Sequence, residues 1–92
     1  MGFKLGDWVD WDSHQPGAVV AVIPPNGSIT RAFEALPFKR HARLVVNRYA
    51  KKRPEESYLV ATQPGPQTKR VSVYWPEVDR MKQIESRGNI EL

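Results

Sequence analysis

Hydrophobic positions along this chain come in short bursts separated by Pro and Gly, the spacing of a small β-rich domain. "GDWVDWD" (6–12) alternates as a half-buried strand does: Leu5, Val9 and Trp11 fall on one face, and Trp8, Asp10 and Asp12 on the other. Asp7 suits the turn that opens it. "SHQPG" (13–17) has turn chemistry, and "AVVAVI" (18–23) is a β-branched run that predicts a second, well-buried strand. "PPNG" (24–27) ends it, because Pro cannot donate to a sheet ladder. "SITRAFEAL" predicts a short helix capped by Ser28 or Thr30 and stopped by Pro37. "ARLVVNRYA" (42–50) reads as a strand on the strength of Val45, Val46 and Tyr49, and "KKRPEES" (51–57) as an exposed turn. "SYLVATQ" (57–63) and "KRVSVYW" (69–75) form a hairpin around "PGPQT". Along the latter, Val71, Val73 and Trp75 point one way and Ser72 and Tyr74 the other.

From Pro76 the period changes. Pro suits the first position of a helix, and Glu77 and Asp79 suit its positive end. Val78, Met81 and Ile84 recur every third residue, and Gly88 is a stop. The expectation is a short C-terminal helix or 3₁₀ turn over residues 76–87 that packs one apolar stripe on a small barrel. Trp75 is expected in the core with Val9 and Trp11, while Trp8 and Tyr74 are expected on the outer face.

In order, "GDWVDW", "PGAVVAVIP", "ESYLVAT" and "RVSVYWPEVDRM" resemble the SH3-like small barrels, a group that includes KOW and Tudor-type modules. The resemblance covers roughly two thirds of the chain and bears on fold far more than on function. It implies one mainly β domain over residues 1–92. That domain is a small barrel of four to five short strands, with a long basic insertion at about 28–56. In such modules outward aromatics near the last strand often form a ligand groove. Trp8, Ser72 and Tyr74 are therefore candidates for contact with a protein partner; the other reading is that Trp8 and Tyr74 pack beneath the insertion.

One enzyme family shares this architecture. The type II dihydrofolate reductases have a Gly-Asp-Arg-Val opening and a Val-Gln-Ile-Tyr strand, which Gly6-Asp7-Trp8-Val9 and Val71-Ser72-Val73-Tyr74 resemble. Tyr74 falls on that family's tyrosine, but Ser72 replaces its ligand-contacting glutamine. Trp11 and Asp12 replace two lysines. A site for an anionic cofactor and an anionic folate is not expected to exchange lysine for aspartate.

Composition narrows the remaining classes. The chain has 92 residues, no cysteine and two histidines, His14 and His41, with no metal-ligand spacing around either. No phosphate loop and no nucleophile–base arrangement is present in the pattern. The expectation is no catalytic residue, no metal and no cofactor. The opening residues carry no apolar leader and no run suits a bilayer span, so a cytoplasmic protein without membrane contact is expected.

Charge is what points to a ligand. The net charge is +4, but residues 1–30 carry −2, residues 31–53 carry +7 and residues 54–92 carry −1. Residues 35–54 hold no acidic side chain, while Lys39, Arg40, Arg43, Arg48, Lys51, Lys52 and Arg53 supply positives around Tyr49. Cations release condensed counterions from a phosphate backbone, and an interleaved aromatic can stack on an unpaired base. RNA or DNA is the leading partner. An acidic protein partner and a merely solvated surface are the alternatives, and the chain is expected to be a monomer or a homodimer paired through strand edges.

Overall fold

The computed structural model describes residues 2–12, 16–46, 51–62 and 70–88. The chain is mainly β. Its strands are β1 (Trp8–Asp10), β2 (Gly17–Ile23), β3 (Ala42–Val45), β4 (Ser57–Thr62), β5 (Val71–Tyr74) and β6 (Lys82–Ile84). A single helix, α1 (Ile29–Glu34), and two 3₁₀ turns, Lys39–His41 and Val78–Arg80, complete the described elements. The strands form one six-stranded sheet in the order β3-β5-β4-β2-β1-β6. Every pair is antiparallel except β3 and β5, which are parallel. The ladder runs from β3 to β6 without closing.

β4 explains why both faces of the sheet are covered. All six of its residues are buried, and they alternate between two clusters, as the two-residue period of a strand requires. Leu59 and Ala61 join Ile23, Leu36, Phe38, Ala42, Val71, Val73 and Trp75 on one side. Tyr58 and Val60 join Val9, Trp11, Val19 and Met81 on the other. A bulge between Val19 and Ala21 lets β2 serve both clusters, turning Val19 to the second and Ile23 to the first. Gly17 permits the close contact of β2 with β4, since a Cβ there would lie 2.6 Å from the Ala61 carbonyl oxygen.

The helix forms where its signals stand. The Arg31 amide donates to the Ser28 hydroxyl at 3.2 Å, capping α1. Ile29, Ala32 and Phe33, on one helical face, pack on the first cluster. At the first strand the Lys4 amide donates to the Asp7 carboxylate at 2.8 Å, so Asp7 does stabilise the opening turn.

Three expectations change. Trp8 is 4% exposed, not outward. It sits opposite Ala18 and Ile84, and its indole N–H donates to the Gly88 carbonyl at 2.9 Å. Alternation does separate Trp8 from Val9, but with both faces covered neither side of β1 is solvent. The region after Pro76 makes one 3₁₀ turn and then β6, which pairs with β1. Val78 and Met81 still pack on the second cluster. Finally, residues 28–56 are not simply an insertion beside the sheet, since α1, the first 3₁₀ turn and β3 lie within them.

Candidate nucleic-acid interface

The parallel pairing of β3 with β5 shapes the site. It sets Ala42 beside Val71, Arg43 beside Ser72, Leu44 beside Val73 and Val45 beside Tyr74. Ala42, Leu44, Val71 and Val73 therefore face the helix-covered cluster. Arg43, Val45, Ser72 and Tyr74 share the opposite face. Arg43 is exposed and the other three are half-buried. Tyr74 lies at the margin of the second cluster, its ring 5.6 Å from that of Trp11 at a tilt of 56°.

β3 is an edge strand, and its outer side borders an open depression of about 470 Å³ lined by Arg43, Leu44, Val45 and Val46. Lys39 and Arg40 are exposed in the 3₁₀ turn that leads into β3. Lys51 and Lys52 are exposed where the chain returns past the far end of that strand. Arg70 belongs here too. Because Ala42 pairs with Val71, the exposed Arg70 stands at the same end of the sheet as Lys39–His41. Reading along the chain placed it in the hairpin instead, because no local pattern signals a parallel register.

Arg53 plays a different part from its neighbours. The connection from β3 to β4 must pass the end of β5, and Arg53 fastens it there. Its guanidinium lies 3.7 Å above the centroid of the Trp75 ring. It donates to the carbonyls of Pro76 at 2.6 Å and Trp75 at 2.9 Å, with Glu77 at 3.8 Å. Its own carbonyl accepts from the Asn26 amide at 2.7 Å. With its side chain only 18% exposed, Arg53 is engaged in holding this connection, unlike its exposed neighbours Lys51 and Lys52. Trp75 is held in turn by its indole N–H, which donates to the buried Ser57 hydroxyl at 2.9 Å. The predicted Arg48 and Tyr49 lie outside the described residues.

The two predicted residue sets are thus redistributed. Trp8 lies far across the sheet from Tyr74 and on the other face, so Trp8, Ser72 and Tyr74 do not make one groove. Ser72 and Tyr74 instead join Arg43, a member of the basic set. Among the described residues no group of His, Asp or Glu is placed to hold a metal, and no helix is long and apolar enough to cross a membrane. The chain matches no family model, no curated protein and no solved structure.

Proposed function

We propose that this chain is a non-enzymatic binding module that contacts nucleic acid, RNA or DNA, through the β3 edge of its sheet. One observation carries the reading: the exposed cations Lys39, Arg40, Arg43, Lys51 and Lys52 lie before, on and after the edge strand β3, in a segment with no acidic side chain. A solvated surface needs no such segregation of sign, whereas a phosphate backbone rewards it through counterion release. Residues 6–12 and 69–78 support an SH3-like small barrel as the relevant ancestry, with β1, β2, β4 and β5 as its antiparallel succession.

An absence of dihydrofolate reductase activity belongs to the same reading. Where that family has lysines, Trp11 is a buried core residue and Asp12 is 3.0 Å from the Arg80 guanidinium. Binding of a labelled oligonucleotide at low salt tests the proposal. Its affinity should fall with salt at a slope for about three to six phosphates. No binding at low salt removes nucleic acid as the ligand and leaves an acidic protein as the partner for these cations.

A further inference from the structure

Arg43, Val45, Ser72 and Tyr74 were predicted in separate roles or none, yet the β3–β5 register gathers them into one small patch. Resting on the nucleic-acid reading, we infer that this patch is a platform for an unpaired base, so that the module selects single-stranded over double-stranded nucleic acid.

The argument is one of chemical fit. Neighbouring strands lie about 4.8 Å apart and alternate residues of a strand about 6.6 Å apart, so the four side chains tile an area comparable with the face of one base. Tyr74 supplies an aromatic ring, half-buried and supported by Trp11. Val45 extends that apolar floor toward the sheet edge. Arg43 is exposed beside it, where a guanidinium can grip a phosphate or lie on a base plane. The Ser72 hydroxyl gives a donor and an acceptor for a base edge. Lys39 and Arg40 at one end of β3, and Lys51 and Lys52 at the other, provide a path for the sugar–phosphate chain on either side.

A duplex cannot use this surface in the same way. Its bases are stacked on one another, so their faces are unavailable to Tyr74 and Val45, and only its phosphates can meet the cations. Binding a duplex would cover the apolar floor without giving it a partner. An acidic peptide would likewise satisfy the cations and leave the aromatic ring unused.

The test measures fluorescence anisotropy with a labelled 12-nucleotide single strand, the blunt duplex of the same sequence, and an oligoglutamate peptide as competitor. The wild type should bind the single strand more tightly than the duplex. Tyr74→Leu should weaken single-strand binding by about 5- to 150-fold, the loss of one stacking partner, with duplex binding unchanged. Tyr74→Phe should retain the preference. In case Tyr74→Leu does not fold, photo-crosslinking of the wild type to a 4-thiouridine oligonucleotide should map to Tyr74 or its patch neighbours. Equal or tighter binding of the duplex, or crosslinks confined to Lys39, Arg40, Lys51 and Lys52, would overturn the single-strand platform and leave the nucleic-acid reading standing. Competition by oligoglutamate as effective as that by the single strand would also overturn it. Binding of neither nucleic acid would remove the underlying reading, and the platform with it.

Discussion

The two edges of this sheet solve the same problem in opposite ways. Any edge strand leaves unpaired backbone groups that invite association. At β6 the solution is a short edge with balanced charge. That strand is three residues long, with Lys82 and Gln83 exposed, and Lys82 lies opposite Asp10. The nearby Arg80 pairs with Asp12 at 3.0 Å. Charge there is balanced. At β3 it is not: exposed cations precede and follow a strand whose Leu44 and Val45 border an open depression. The difference is what the proposed binding role of the positive segment would explain. A short, charge-balanced edge would have served for solubility alone, and the same chain builds one at β6.

The strongest way to break the comparison is to remove what backs each edge. Trp75→Ala, beneath the β3 side, should cost about 3–5 kcal/mol, since it empties the first cluster and strands the Ser57 hydroxyl. Trp8→Ala, beside β6, should cost about 3 kcal/mol because the ring is buried and hydrogen-bonded. Denaturant melts of both variants check this; a Trp8 variant as stable as the wild type would mean that the β1–β6 side is not packed as described.

Next in size is the binding contrast. Affinity of the wild type for a single-stranded oligonucleotide should fall about 20- to 300-fold between 50 and 200 mM salt, as expected for about three to six phosphate contacts. Replacing Lys39, Arg40, Arg43, Lys51 and Lys52 by glutamine should remove most of that dependence, while Arg80, Lys82 and Arg87 to glutamine should leave it unchanged. Titrations at both salt concentrations decide between them.

A finer test separates anchor from ligand contact within one basic run. Arg53→Ala should lower stability by about 1–3 kcal/mol, for two charge-assisted hydrogen bonds and a cation–π contact. Its salt slope for nucleic acid should match that of the wild type. Arg53→Lys should not restore the stability, because an ammonium lacks the planar fork that reaches two carbonyls. Melts paired with salt titrations report both effects.

The smallest effect lies between the edges, in β4. Burial first, and then the hydrogen bond donated to Glu56 at 2.5 Å, hold the Tyr58 hydroxyl above its ordinary pKa of 10.0. The neutral phenol is thus favoured in the folded state. Its contribution is fully present below the unfolded value near 10 and is lost as pH rises through the raised folded value. Stability should therefore decline in that alkaline window, and Tyr58→Phe should flatten the decline in melts followed against pH.

What the sequence revealed depended on whether the signal was local. Ser28 or Thr30 as a cap and Pro37 as a stop announced α1, and the branched runs of β2, β4 and β5 announced strands. β6 was hidden because "KQI" has no alternation of its own and follows Pro76 and two acids that suit a helix start. Trp8 was misplaced because alternation separates two sides of a strand without saying that both are covered. Arg53 looked like its basic neighbours, since only the crossing of the β5 end brings Trp75 beneath it. Arg43 met Ser72 and Tyr74 through a parallel register, which leaves no mark in either segment. The segregation of positive charge was therefore legible, and the side chains set beside Arg43 were not.

The central claim is that the β3 edge, and not the β6 edge, is the face that meets nucleic acid. Backbone amide shifts followed by NMR during titration with a single-stranded oligonucleotide at low salt test it most directly. The account predicts that shifts concentrate at Lys39–His41, Arg43–Val46, Ser72 and Tyr74, with Lys82–Ile84 unmoved. Shifts centred on Lys82–Ile84, or shared equally by both edges, would contradict it.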